Sequence, residues 1–408
     1  MAYAVVAVHA LVFAALIVQV SQTPAARLSG NDAVRYDEIA RQLNTGHGGA
    51  IEYPPGAALL IRAIAGDGVH PTLRWLALIN ALADLALLVM LWRWWSRSAA
   101  MWFAVLTMPM LAFLANGYDL VVVALAVMGI GFAKSDRSVR SGMAFAVAAM
   151  FKLWPAVLIL GLWAQGRRRS AATAFAATTA FVSAWIWRDG WVGVADVLTF
   201  RGARGWHVES VPGAVLAFFT GAHSRFEAGS WRVGAPPTIA TAMLAAALVA
   251  TFVVAFEVTR RISQRSSNAG LPEDAQVAFD GTVPVVLIGA TMIFATLLSP
   301  QYIAWLFPFV AIAISQGSRT LRIPAIAVVA LNTLYLSAQD LTHPDHVWMR
   351  LEVIARNLCL VWLVGQCAYD LYCAAHARAT SPATSENESP LTSMITSSIV
   401  PVNAKGDS

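Results

Sequence analysis

Charge is what this sequence has least of. Its 408 residues include 28 Lys or Arg and 23 Asp or Glu, 12% of the chain, about half the ~25% of an ordinary soluble domain. Hydrophobic residues make up 58% and the mean hydropathy is +0.62. Such a chain cannot cover itself with polar surface in water, which excludes a soluble enzyme, a nucleic-acid binder and a disordered protein. Lysine is nearly missing: Lys134, Lys152 and Lys405 are the only three among the cations. The arginines are scattered between apolar runs rather than gathered on one face. The net charge of +5 therefore reads as membrane orientation and not as a phosphate-backbone footprint. Cysteine is scarce too, with Cys359, Cys367 and Cys373 all in the last apolar run. The closest pair would stand about 9 Å apart along a helix, beyond the ~7 Å reach of a disulfide, so packing is their expected role. No Walker-type or dinucleotide-binding glycine motif occurs, and no internal repeat.

What the sequence does have is long apolar runs: 2–20, 71–92, 99–115, 119–133, 141–152, 155–166, 170–187, 237–259, 282–298, 302–316, 321–338 and 350–373. They predict an all-α polytopic transmembrane bundle of about 12 membrane segments, in one domain over 1–376. Residues 377–408 are rich in Ser, Thr, Pro and Asn and are expected to form a disordered cytoplasmic tail. The first run reads as a retained helix rather than a cleaved signal peptide, because no basic segment precedes it. The stretch 141–166 admits one long helix or a hairpin. Lys134, Arg137 and Arg140 precede it and Arg167, Arg168 and Arg169 follow it, so the positive-inside rule puts both ends in the cytoplasm. Pro155 breaks the run where a hairpin needs its turn. With that hairpin the other short cationic loops also fall inside, both termini are cytoplasmic, and the protein is a multi-pass plasma-membrane protein.

Two outer loops, 21–70 and 188–236, are far longer than ordinary connections and are expected to form the functional site. In the first, Tyr36, Ile39, Ala40 and Leu43 recur at helical spacing, with Gly46 as a candidate C-cap, and Pro55 opens a second short amphipathic helix. Most histidines and most carboxylates outside the tail fall on this outer side, where nucleotide-sugars are absent. An enzyme there has to draw on an activated group presented by the membrane.

Asp32 has two readings. It completes a capping box with Ser29, or it is a carboxylate base facing an acceptor hydroxyl. Asp37 and Glu38, one turn on, are expected to face water. Lys152 sits at the hairpin apex near membrane depth, where an unpaired charge costs roughly 2.5–3.5 kcal/mol, so it requires a partner. It either snorkels to headgroups or clamps a lipid phosphate. Tyr53-Pro54-Pro55 is a rigid turn. Arg204-Gly-Trp206-His207-Val-Glu209-Ser210 combines a cation, an aromatic, a histidine and a carboxylate in the second long loop. It suits either a surface ion-pair segment or a sugar-phosphate site. Ser299-Pro-Gln301-Tyr302 is a Pro turn whose Gln301 offers a hydrogen bond. Asp84 is expected to bond between helices, Glu352 and Arg356 to pair at i,i+4, and His343 and His346 beside Asp345 to be weak metal candidates.

In this order these motifs resemble glycosyltransferase family 87 of the GT-C superfamily, typified by polyprenyl-phosphate-mannose-dependent alpha-1,2-mannosyltransferases. The resemblance rests on Asp32 to Tyr36, Tyr53-Pro54-Pro55, Lys152 to Pro155, Arg204 to Ser210, and Ser299 to Tyr302. It implies a hexosyltransferase of GT-C fold using a polyprenyl-phosphate sugar, with mannose the first expectation, and a glycolipid or glycan acceptor. Asp32 would be the base. Lys152, Arg204, His207 and Gln301 would bind the donor phosphate, and Tyr36, Tyr53, Trp206, Glu209 and Tyr302 would bind substrate. The arrangement requires no cofactor and no metal. Two alternatives remain open at this point: a transporter or lipid flippase, and a polyprenyl-diphosphate-dependent glycan polymerase or ligase.

Overall fold

The computed structural model describes residues 2–22, 32–45, 53–65, 68–199, 203–227, 229–268, 279–338 and 342–376. Ser29, Gly46, His47 and the expected tail 377–408 lie outside the described residues.

Helix α1 (Ala2–Gln22) is followed by two short helices of the first long loop, α2 (Asp32–Asn44) and α3 (Pro55–Ile64). On α2 the buried stripe is Ala33, Tyr36, Asp37 and Ala40, the i, i+3, i+4, i+7 set of one helix face. Asp37 therefore does not face water as expected. It lies inside that stripe and is bonded by Arg41. Pro55 occupies the first turn of α3, where its missing N–H costs nothing.

Helix α4 (Val69–Trp94) has 26 residues, a rise of about 39 Å. It meets α1 through His9, whose Nε2 lies 2.8 Å from Asp84 Oδ2 and whose Nδ1 lies 3.2 Å from the Ala104 carbonyl on α5 (Arg97–Thr107). Asp84 thus makes the interhelical bond expected of it, and one imidazole ties three helices. Ser96 caps α5 by accepting from Ala99 N at 3.1 Å. A 3-10 turn at Met108–Met110 and the short α6 (Leu111–Leu114) complete that span.

Helices α7 (Asp119–Lys134) and α8 (Ser138–Phe151) lead to Lys152, whose backbone is extended at φ −148, ψ 141. A 3-10 turn at Trp154–Val157 and α9 (Leu158–Ala164) follow. Arg167, just past α9, reaches Asp280 at 3.2 Å. Asp280 also accepts from Trp95 Nε1 at 3.2 Å, and Lys134 lies 5.7 Å from the Trp95 ring centroid. Both ends of the 138–166 segment therefore stand at the same end of the bundle, and the segment is a hairpin with Lys152 at its apex.

Helix α10 (Arg168–Thr199) overruns the expected span and kinks at Gly190, φ 71. Within the otherwise helical fold the second long loop holds short strands as well as a helix. Strand β1 (Trp206–His207), helix α11 (Val211–Thr220), strand β2 (Ser224–Glu227) and strand β3 (Ser230–Val233) build an antiparallel sheet of order β1-β3-β2. Strands of two to four residues are too short to print a period-2 pattern. Helix α11 is capped by Ser210 Oγ on Gly213 N at 3.1 Å. A Cβ at Gly213 would lie 1.9 Å from the His207 carbonyl oxygen. Gly213→Ala is accordingly expected to destabilise the protein by about 1–3 kcal/mol, read as earlier thermal unfolding in detergent, since a backbone oxygen and not a pliable side chain must move.

Helices α12 (Thr238–Asn268), α13 (Phe279–Phe294), α14 (Phe307–Ser315), α15 (Arg322–Ala338) and α16 (Val347–His376) close the bundle. Among the described residues five helical segments are long and apolar enough to cross a membrane, and seven shorter apolar helices accompany them. The α12 segment exposes Ile239, Met243, Val249, Val253 and Val254. An apolar helix surface of that extent belongs in lipid. Cys359, Cys367 and Cys373 are free thiols.

Candidate active site

One cavity of about 1100 Å³ opens where α2, α3, the Lys152 apex, the β-sheet and the Ser299–Tyr302 turn converge. Asp32, Tyr36, Tyr53, Lys152, His207, Glu209, Gln301 and Tyr302 all line it. Arg204 and Trp206 do not. The Arg204 main-chain N–H donates to Glu227 Oε1 at 2.7 Å, and Trp206 pairs with Val233 in the sheet. The cavity thus does not bring Arg204, expected at the phosphate, or Trp206, expected at the substrate, together with the other site residues. A cation and an aromatic in a loop carry no sign of which way they will turn.

Lys152 has the partner its depth demands. Its Nζ lies 2.6 Å from Asp119 Oδ1, and the same oxygen accepts from Trp305 Nε1 at 2.6 Å. The ammonium is further enclosed by Tyr302 at 4.8 Å and by Tyr118 and Trp305 at 5.2 Å from their ring centroids, each within cation–π range. Trp305 stacks between Tyr302 and Trp154, at centroid distances of 4.2 and 5.1 Å. Lys152 and these rings line the cavity, whereas Asp119 stands behind its wall.

Asp32 lies close by. Gly117 keeps the space between the two acids open: a Cβ there would meet Asp119 Oδ2 at 3.1 Å and Asp32 Oδ2 at 3.7 Å. Asn80 holds this turn by donating to the Gly117 carbonyl and to Leu76 O. Gln301 Nε2 approaches Asp32 Oδ2 at 3.4 Å. Burial pushes the Asp32 carboxyl above its ordinary range, against the pull of Lys152, with Asp119 adding to the push and Arg35 opposing it. Tyr36, Tyr53 and Tyr118 form a ring triangle beside it, with centroids 5.8 to 6.2 Å apart.

On another wall, burial and the neighbouring Arg232 and Arg356 lower His207 to about 3. The ring is therefore neutral near pH 7 and brings no positive charge to a phosphate. Glu209 is pushed up to about 7 by burial, although Arg356 pulls the other way. Tyr335 donates to Glu209 Oε1 at 2.8 Å, and Arg356 donates to the Glu209 carbonyl at 2.6 Å. Arg356 thus pairs with Glu209 instead of Glu352, because a fully buried guanidinium takes the tertiary partner within reach. Asp345 is taken up by Ser224 N at 2.9 Å and Arg350 at 3.0 Å. Among the described residues no group of three or more His, Cys, Asp or Glu is arranged to hold a metal.

The family model for glycosyltransferase family 87 matches residues 51–279, more than half of the chain. The chain belongs to glycosyltransferase family 87. It is a multi-pass membrane glycosyltransferase. Among the solved structures that resemble it are two of one protein. One is the crystal structure of ArnT from Cupriavidus metallidurans bound to undecaprenyl phosphate, at 15% identity over 90% of this chain and 77% of that one, TM-score 0.43. The other is the apo state of the same protein, at 13% identity over the same shares, TM-score 0.41. No curated protein matches.

In this family 87 glycosyltransferase the cavity offers one carboxylate and one ammonium on a shared wall, with tyrosines and tryptophans around both. Sequence reasoning missed Asp119, Tyr118, Trp305 and Arg356 as parts of this architecture. For Asp119 the signal was present. A lysine at membrane depth requires a carboxylate, and Asp119 is one of the few on the same side.

Proposed function

We propose that this family 87 enzyme moves a hexose, mannose in the first instance, from a polyprenyl-phosphate carrier to a glycolipid or glycan acceptor. Transfer takes place at the extracytoplasmic face of the plasma membrane, in one inverting displacement. Asp32 takes the proton of the acceptor hydroxyl as its oxygen bonds to the anomeric carbon. The bond from that carbon to the phosphate oxygen breaks, and the electron pair leaves with polyprenyl phosphate. Lys152 faces the charge that grows on the leaving phosphate, with Gln301 as a polar contact. Tyr36, Tyr53, Tyr302 and Glu209 line the space for the sugar and the acceptor. The observation that carries this reading is the joint presence of Asp32 and Lys152 in one cavity, close enough for the ammonium to act on the carboxyl. A flippase has no need of a buried carboxylate sharing a cavity with an aromatic-walled ammonium.

The test supplies membranes containing the protein with labelled polyprenyl-phosphate-mannose and a mannoside acceptor. Transfer with inverted anomeric configuration is expected. Retained configuration would exclude the single displacement. Transfer from diphosphate-linked oligosaccharides alone would replace this reading with the polymerase one.

A further inference from the structure

The hairpin of β2 and β3 carries two large rings that the transfer chemistry leaves unused. Phe226 and Trp231 are direct cross-strand partners, with ring centroids 5.6 Å apart at 74°. Both line the cavity, yet Phe226 is 66% exposed. Alternation puts Ser224, Phe226, Trp231 and Val233 on one face, and Arg225, Glu227, Ser230 and Arg232 on the other. The polar face is knitted tightly. Glu227 accepts the main-chain N–H groups of Arg204 and Gly205 at 2.7 and 3.3 Å, and Arg232 donates to the Gly205 carbonyl at 2.9 Å. Trp231 is further backed by the His343 ring at 4.7 Å. The rings therefore stand on a braced platform.

The tip of the hairpin fixes which end of the cavity this platform serves. Gly229, φ 78, lies so close to α2 that a Cβ there would sit 2.7 Å from Arg35 Nη1. Arg35 is three residues from Asp32 and close enough to act on its charge. The hairpin thus meets α2, the helix that opens with Asp32, through Arg35, whereas the aromatic-walled Lys152 is assigned to the phosphate end. A molecule presenting a hydroxyl to Asp32 shares one cavity with Phe226 and Trp231. The axial C–H face of a pyranose is apolar and its rim is hydroxylated. That suits two rings in a cavity whose lining also includes the polar Ser230, His207 and Glu209.

We propose that Phe226 and Trp231 form an acceptor subsite that stacks on a pyranose ring of the glycan receiving the sugar. This rests on the transferase reading above. It assigns the β-sheet of the second long loop to acceptor recognition and the helical apex to the donor.

The experiment measures transfer by the full chain in lipid nanodiscs, varying donor and mannoside acceptor independently, for wild type, Phe226→Ala, Phe226→Tyr and Trp231→Phe. Phe226→Ala is expected to raise the acceptor KM about three- to tenfold and to leave the donor KM unchanged. Phe226→Tyr and Trp231→Phe, which keep a ring, should stay near wild type. An unchanged acceptor KM in Phe226→Ala, with the wild type active, overturns the stacking subsite alone. A raised donor KM instead means the rings hold the polyprenyl carrier, and overturns it too. No transfer by the wild type at any acceptor concentration overturns both this inference and the reading beneath it.

Discussion

Replacing Asp32 with Asn is expected to lower kcat/KM for sugar transfer by about 10²- to 10⁴-fold, the usual contribution of a positioned general base. The carboxamide keeps the shape and a hydrogen bond to Gln301 but cannot take a proton. Donor binding, measured separately with a labelled carrier, should stay near wild type, since the proposed mechanism sets Asp32 against the acceptor. The pH dependence provides a second check. The base works as a carboxylate, so the rate follows its deprotonated fraction and falls as pH drops through its pKa. Burial sets that pKa above the ordinary carboxylate range. The acid limb of kcat/KM should therefore lie at higher pH than for an exposed Asp, and the residual rate of the Asn variant should lack it. A variant with full turnover, or a limb that survives the substitution, would remove Asp32 from the role.

The route from sequence to this site was legible where a physical requirement acts locally. Arginines flanking 141–166, with Pro155 inside it, demanded a return, and the hairpin apex is where Lys152 stands. Pro55 at a first helical turn and the 3.6-residue stripe around Tyr36 marked α3 and α2. The same local logic misled at Glu352 and Arg356. An i,i+4 pair is always available within a helix, but Arg356 is fully buried and turns to Glu209, 147 residues away. It misled again at Asp37, where charge suggested water while position put the residue on the buried face. Arg204 to Ser210 was legible as unusual, and its geometry was not. Whether such a segment faces a cavity or a sheet depends on strands too short to announce themselves. Requirements such as "this Lys needs a carboxylate" can be read from sequence, but the identity of a partner 33 positions away cannot.

That requirement leads to the second large effect. Lys152→Met is expected to reduce transfer by about 10²- to 10³-fold, the range seen when one preorganised donor to developing charge is removed. Lost activity alone would not separate a phosphate contact from a damaged fold. Asp119 has 2% side-chain exposure and gives one oxygen to both Lys152 and Trp305. Removing the ammonium strands that carboxylate, and breaking one side of a buried pair costs about 3–5 kcal/mol. Lys152→Met should thus also unfold at lower temperature. The double variant Lys152→Met/Asp119→Asn removes both charges together. It should recover most of the thermal stability and none of the activity, because the neutral pair no longer strands a charge and still offers no cation to the leaving phosphate. The acid limb set by Asp32 adds an independent reading, since Lys152 lowers its pKa and Asp119 raises it. The limb should move to higher pH in Lys152→Met, to lower pH in Asp119→Asn, and lie between the two in the double variant. Were the double variant to regain wild-type turnover along with its stability, Lys152 would be a structural counter-ion for Asp119, and the phosphate would have to be held elsewhere in the cavity.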